Sequence, residues 1–121
     1  MSTGLPEITF DIAENGDTLT FACSGPLTMD TVEVLAKKLE TITGAPHLKR
    51  FFLDLSNITA VDASGIGLLV DLHARLVEAR KRIYFFKPTK PVRALISELK
   101  LDDFLRCLHH EDELLIRMPD Q

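Results

Sequence analysis

Two short and nearly unbroken apolar runs, at residues 50–55 and 83–86, enclose a longer segment with the periodicity of a helix. Within that segment, apolar side chains recur at helical spacing, at Leu69, Leu72, Leu76 and Ala79. A connection of this length joins parallel strands, because an antiparallel pair needs no more than a short turn. The pattern therefore predicts an α/β fold with a strand, a helix, and a second strand reached by a right-handed crossover.

The start of the chain predicts an antiparallel hairpin followed by a helix. Apolar and polar residues alternate over residues 8–13 and again over 18–24, and Asn15-Gly16-Asp17 separates the two runs. The helix then begins either at Thr28 or at Asp30, which has the spacing of a capping box with the glutamate three positions later.

The rest of the chain continues the alternation of helices and strands. Thr89 starts a further helix with Pro91 in its first turn, and the last residues favour a strand within 104–108 and a short helix over 111–118. A chain of 121 residues with 45% hydrophobic content suits one ordinary core, and no linker or repeat is visible. We expect one domain over residues 1–121.

Charge and composition exclude several classes of protein. The net charge is −4, and the basic residues are scattered apart from Arg80-Lys81-Arg82, which argues against a nucleic-acid partner. No apolar run approaches the ~20 residues of a membrane-spanning helix, and the N-terminus lacks the pattern of a secretory signal. A cytoplasmic location is therefore expected, with Cys23 and Cys107 as buried thiols rather than a disulfide.

The most informative local feature is the strand-to-helix corner at Val61-Asp62-Ala63-Ser64-Gly65. The first backbone amides of a helix have no partner within the helix and carry a partial positive charge, so they favour an anion. A phosphate on Ser64 would occupy such a position. Serine is also a common N-cap, and that interpretation stays open for Ser64; alternatively, Asp62 is the cap and the Ser64 hydroxyl is free to react.

The sequence shows no recognisable catalytic or metal site. Ser64 does not lie in the Gly-x-Ser-x-Gly turn of hydrolases, and His73 is more than two helical turns away. The Cys107-x-His109-His110 cluster lacks the second pair of ligands of a structural zinc site. Phosphate-binding glycine-lysine loops and dinucleotide motifs are missing as well. We therefore expect neither an enzyme nor a cofactor, and a separate kinase would hold the ATP for any phosphorylation.

The helix after Ser64 has a narrow polar face and a wide apolar arc. Asp71 and Arg75 have the spacing of an ion pair on the polar face. Part of the apolar arc exceeds what a core needs, and it either packs under a neighbouring helix or meets a partner protein. For the second case, the contacts expected near the helix start are Ile66, Gly67, Leu68 and Asp71.

Four different motifs lie at intervals along the chain: Gly25-x-Leu27, Asp54-Leu55-Ser56, Asp62-x-Ser64-Gly65-x-Gly67, and Leu99-x-Leu101 with Phe104. Together they resemble the STAS domain of bacterial anti-sigma factor antagonists over almost the whole chain. The resemblance implies an α/β fold whose mixed sheet of four to five strands begins with an antiparallel hairpin, with helices packed mainly on one face.

The resemblance also implies a function. Ser64 would be phosphorylated by a serine kinase that is itself an anti-sigma factor, and a metal-dependent serine phosphatase would remove the phosphate. The unphosphorylated protein would bind the anti-sigma factor and free a sigma factor. STAS-like domains also act as docking or scaffold subunits of transport or signalling assemblies, some without phosphorylation, and this is the alternative function.

The residues expected around the phosphorylation site are Asp62, Ala63, Gly65, Asp54, Ser56 and Thr28. Ala63 stands where many family members have a further serine, which leaves one acceptor, and Thr28 stands where an aspartate is frequent. Asp54, expected at the end of its strand, either accepts hydrogen bonds from the adjacent loop or orients Ser64. The sequence indicates no particular oligomeric state.

Overall fold

The computed structural model describes residues 7–101, Phe104 and Leu108–His109. Within these residues the chain forms, in order, β1 (Thr9–Asn15), β2 (Thr18–Leu27), α1 (Val32–Thr43), β3 (Arg50–Val61), α2 (Ala63–Glu78), β4 (Arg82–Phe86), α3 (Lys90–Glu98) and β5 (Leu108–His109). This order follows the prediction; of the strand predicted within residues 104–108, Leu108 lies in β5, and residues 105–107 lie outside the described part of the chain. The helix predicted over residues 111–118 lies outside the described residues, as does Cys107.

The strands form one mixed sheet in the order β1-β2-β3-β4-β5. β1 and β2 are antiparallel, and they meet at a tight turn in which Gly16 has a φ of 63°. The pairs β2–β3, β3–β4 and β4–β5 are all parallel, and a helix connects the strands of each pair. The predicted α/β fold, with a leading hairpin and a parallel strand–helix–strand unit, is confirmed.

One face of the sheet carries the hydrophobic core. Phe51 and Leu53 of β3 lie on this face, and buried residues of all three helices, such as Leu35 and Leu69, belong to the same cluster. Phe52 lies on the opposite face, since side chains alternate along a strand, and it stacks on Tyr84 with ring centroids 5.1 Å apart. The helices therefore pack mainly on one face, as expected.

β3 continues beyond its predicted end at residue 55, as far as Val61. β4 pairs with β3 up to Asp54, and from there β3 continues beside β2 with shifts of register that mark bulges. The Asp54 carboxylate accepts the Ser56 backbone N–H at 2.8 Å within the first bulge. Asp54 therefore supports an irregularity inside a strand, and the expectation that it ends the strand is wrong.

The residue that caps the start of α1 is neither of the two predicted ones. The N-cap is Thr31, whose buried hydroxyl donates to the Pro26 carbonyl at 2.7 Å and accepts the Thr28 N–H at 3.1 Å. The Thr28 carbonyl in turn accepts the amides of Thr31 and Val32. The loop before α1 is thus fixed by its own hydrogen bonds, and the prediction of a cap at Thr28 or Asp30 is wrong.

Candidate functional site

The strand-to-helix corner lies at the far end of the β2–β3 pair, where Leu27 faces Val61. The Leu27 carbonyl accepts the Asp62 backbone N–H at 3.3 Å, which ties the corner to β2. Gly65 packs against the same residue: a Cβ at this position would lie 2.8 Å from Leu27 Cγ and would also collide with the Leu27 carbonyl oxygen. Glycine is therefore required at position 65 for α2 to begin this close to β2.

Asp62 is the N-cap of α2, which confirms one of the two open interpretations. Its Oδ1 accepts the Gly65 N–H at 3.1 Å, and its Oδ2 accepts the N–H of Met29, in the loop before α1, at 3.0 Å. The Met29 amide is the largest cause that holds the pKa of Asp62 below its ordinary value; the Gly65 and Ser64 amides also lower it, and burial opposes them. The ionised carboxylate therefore joins two segments of the chain.

Ser64 is exposed in the first turn of α2, two residues after this cap. Its hydroxyl makes no hydrogen bond to the residues that the structure describes, because Asp62 already satisfies the helix start. A nucleophilic oxygen that is accessible and not needed for capping can accept a group from a second protein.

The other expected neighbours of Ser64 fall into two sets. Ala63 is exposed at the corner, Gly65 is buried beneath it, and the partly buried Thr28 belongs to the adjacent loop. Asp54 and Ser56, in contrast, lie well before the corner, near the residue at which β4 ends. The structure does not place them beside Ser64, because the bulged end of β3 separates them from the corner.

An open groove runs along α2 on the side of α3, with a volume of about 560 Å³. Its lining consists of Ala63, Ile66, Gly67, Val70, Asp71, Ala74, Leu99 and Leu101. Ile66 is only 1% exposed and belongs to the core, so it does not qualify as the exposed contact that we expected. Gly67 is exposed, and a Cβ added to it would meet nothing within 4 Å.

The two remaining expected contacts both line the small cleft between α1 and α2, but they differ in exposure. Leu68 is half-buried and packs against the core, next to the small cleft between α1 and α2. Asp71 is exposed, and its Oδ2 lies 2.9 Å from Arg75 Nε, which is the ion pair that the spacing predicted. An accessible surface thus runs from Ser64 past Gly67 to Asp71.

Sequence reasoning missed Met29. This side chain is 71% exposed beside the corner, and its backbone is bound to the Asp62 carboxylate. Nothing in its sequence neighbourhood signals this position, because the contact joins residues that are distant along the chain.

The described residues contain no cluster of His, Cys, Asp or Glu side chains that could hold a metal ion. Most of the Cys107-x-His109-His110 motif lies outside those residues. In the same part of the chain, no helix has the length and hydropathy to span a membrane.

The fold and the site together define a small α/β domain with a mixed sheet, which presents a serine at the start of a helix. The family model of the STAS domain matches residues 9–114. The chain belongs to the STAS domain family. Comparison with curated proteins finds no match.

Solved structures with this fold include anti-sigma factor antagonists. One from Mycobacterium paratuberculosis is 19% identical with a TM-score of 0.77, over 94% of this chain and 96% of that chain. The antagonist SpoIIAA in its unphosphorylated form is 19% identical with a TM-score of 0.72, over 90% and 95%. The phosphorylated form of SpoIIAA from Bacillus, at 19% identity, gives a TM-score of 0.68 over 90% and 98%.

The fold also occurs within an anion transporter. The murine anion transporter Slc26a9 is 23% identical with a TM-score of 0.62, over 71% of this chain and 14% of that chain. At such identities the similarity shows a shared fold, and the function has to be argued from the site.

Proposed function

We propose that this protein is a cytoplasmic anti-sigma factor antagonist whose binding is controlled by phosphorylation of Ser64. In its unphosphorylated form it binds an anti-sigma factor that is also a serine kinase, and a sigma factor is released. The kinase transfers the γ-phosphoryl group of ATP to Ser64 Oγ, with loss of the hydroxyl proton and release of ADP. A metal-dependent serine phosphatase restores the hydroxyl.

The observation that carries this proposal is the exposed Ser64 hydroxyl beside a cap already supplied by Asp62. If Ser64 were the cap, phosphorylation would remove a hydrogen bond that holds the helix start. Because Asp62 holds it instead, the modification leaves the fold intact. The similarity to antagonist structures solved in unphosphorylated and phosphorylated forms supports the same function.

The free domain is able to accommodate the phosphate. A phosphoserine carries about −1.5 to −2 charges at neutral pH, and the N-terminal end of α2 favours negative charge. Ser64 is exposed, so the phosphate also remains hydrated. The unfolding temperature of the phosphorylated domain should therefore stay close to that of the unmodified one.

The same phosphate would lower the affinity of a partner that covers Ser64. A partner that covers Ser64 has to remove water from a dianion two residues away from the ionised Asp62, and the like charge opposes it. A penalty of ~3 kcal/mol weakens binding about a hundredfold, which is enough to reverse a competition between two partners. The switch thus needs no refolding of the domain.

The test begins with phosphorylation by candidate anti-sigma factor kinases in the presence of ATP, with the modified residue mapped by mass spectrometry. We expect one phosphate, on Ser64. Affinity for the same kinase is then measured by calorimetry for Ser64→Ala and Ser64→Asp. Ser64→Ala is expected to bind as tightly as the unmodified protein and Ser64→Asp about a hundredfold more weakly.

Thr41→Asp is the matched control, because it adds the same charge at an exposed hydroxyl on α1, away from the corner. It should bind like the unmodified protein. Equal affinities for all variants, with no phosphate found, would contradict the switch. That result would favour the second candidate, a scaffold subunit without phosphorylation, which the similarity to part of Slc26a9 supports.

A further inference from the structure

Met29 is the most exposed large apolar side chain among the described residues, at 71%. Apolar surface in contact with water is unfavourable, and its burial by a partner contributes to binding in proportion to the area removed. Single exposed apolar residues are common, so exposure alone does not identify a contact. The position and rigidity of Met29 are what distinguish it.

The backbone of Met29 is fixed to the same carboxylate that caps α2. Its N–H donates to Asp62 Oδ2 at 3.0 Å, and the hydrogen bonds between Thr28 and Thr31 hold the rest of the loop. Because the backbone is already fixed, a partner that covers Met29 has to order only its side chain and not the loop. Methionine also adapts its shape to an apolar recess better than branched residues do.

Met29 and the groove flank Ser64 on opposite sides. α2 lines a cleft together with α1 and, with a different set of its residues, the groove on the side of α3. Met29 precedes α1, whereas the groove lies between α2 and the Leu99–Leu101 segment that follows α3. A partner that contacts Met29 and the exposed Gly67 therefore has to pass over Ser64, which is the condition for the phosphate to be buried.

We propose that Met29 is a specificity-determining contact of this interface and inserts into an apolar recess on the kinase that phosphorylates Ser64. This proposal rests on the proposed function, because it names a contact of the same partner. It assigns the partner an uncharged surface opposite the loop before α1. The Asp62 carboxylate acts here through position, since it sets the distance between the apolar contact and the phosphorylated oxygen.

The experiment compares Met29→Ala, Met29→Leu and Val77→Ala in the 121-residue chain. Val77 is the matched control, because it is also apolar and exposed, at 56%, but lies near the other end of α2. Affinity for the kinase identified with Ser64 is measured by calorimetry, and circular dichroism checks the fold. Met29→Ala is expected to weaken binding about tenfold or more, and Met29→Leu and Val77→Ala to change it less than about twofold.

The outcomes separate the two proposals. If Met29→Ala binds as tightly as the parent, or if Val77→Ala loses as much affinity, the assignment of Met29 is overturned and the switch at Ser64 stands. If the parent protein binds no kinase that modifies Ser64, the proposed function fails, and the assignment of Met29 fails with it. Slower phosphorylation of Met29→Ala at low concentration, with a normal rate at saturation, would support a role in binding.

Discussion

The Asp62 carboxylate accepts one amide from its own helix and one from the loop before α1. Replacement by alanine removes both acceptors, and the Gly65 N–H then lacks a partner at the start of α2. We expect Asp62→Ala to lower the free energy of unfolding by about 1–2 kcal/mol, as measured by urea denaturation. An unchanged free energy of unfolding would show that water replaces the carboxylate without loss.

Asp62→Asn separates the charge of this residue from its shape, because asparagine also caps helices. Folding lowers the pKa of Asp62, so the resulting stabilisation is fully present above the ordinary value of 3.8 and is lost as the pH falls through the lower pKa of the folded protein. The difference in unfolding free energy between parent and Asp62→Asn should thus be constant over roughly pH 5 to 8 and shrink below it. A difference that did not depend on pH would contradict the role of the charge.

Gly65 and Gly67 form a matched pair within the first turns of α2. Gly65→Ala places a Cβ against Leu27 and should destabilise the fold by about 1–3 kcal/mol. Gly67→Ala meets open space and should stabilise it by about 0.5–1 kcal/mol, because alanine favours helices. Thermal unfolding of the two variants checks both signs, and equal effects would contradict the difference in packing.

At the level of single residues, the sequence was informative where the chemistry is local. The exposed Ser64 and the cap at Asp62 follow from their positions at one corner, a few residues apart. The expected position of Asp54 at a strand end was wrong because its carboxylate binds the Ser56 amide in a bulge within β3, and local sequence does not reveal a bulge. Met29 was missed since its bond to Asp62 spans distant parts of the chain.

At the level of elements, helix ends and strand ends were the least predictable. The second half of β3, from Ser56 to Val61, contains polar residues that are typical of loops, yet it pairs with β2. Tertiary pairing overrides local preference there. α1 likewise begins after its N-cap Thr31, because the buried hydroxyl of Thr31 has two backbone partners and fixes the loop.

The ends of α2 and α3 place Arg80 and Lys100 in the left-handed region, at φ values of 63° and 59°. Both helices end with a pair of backbone hydrogen bonds, such as Lys81 N–H to the Leu76 carbonyl at 2.8 Å. In this motif glycine usually occupies the left-handed position. Arg80→Gly and Lys100→Gly are each expected to raise the free energy of unfolding by about 0.5–1 kcal/mol in urea denaturation.

Lys38→Gly is the control for these substitutions, because Lys38 is exposed in the middle of α1. Glycine in a helix interior should lower the free energy of unfolding by about 1 kcal/mol. If glycine were destabilising at all three positions, the strain assigned to Arg80 and Lys100 would be absent.

At the level of the whole molecule, the order of strands and helices was predictable because apolar periodicity reports which face of each element is buried. The same core explains how a switch can act locally. Helix α2 buries Leu69, Leu72 and Leu76 in the cluster beneath the sheet, while Ser64 stands exposed at its first turn. Modification of the exposed end therefore leaves the packed face unchanged.

The reactivity of the Cys23 thiol measures how often that core opens to solvent. Its thiol is 1% exposed, and burial, together with the nearby charge of Asp54, raises the pKa of Cys23 to about 12. A thiol reagent should therefore reach Cys23 only when the domain unfolds, which can be measured in a Cys107→Ser variant. The labelling rate of Cys23 in the folded protein should be at least about a thousandfold lower than its labelling rate in the protein unfolded by urea.

The same labelling rate tests whether the domain opens as one unit. If Cys23 is reached through global unfolding, Gly65→Ala should accelerate labelling and Gly67→Ala should slow it, and the logarithm of the labelling rate should change in proportion to the free energy of unfolding. If neither substitution changed the labelling rate of Cys23, the thiol would be reached through a local opening of the sheet around β2. Because Ser64 lies outside the core, Ser64→Asp should leave the labelling rate of Cys23 nearly unchanged, even though it is expected to weaken the proposed complex about a hundredfold.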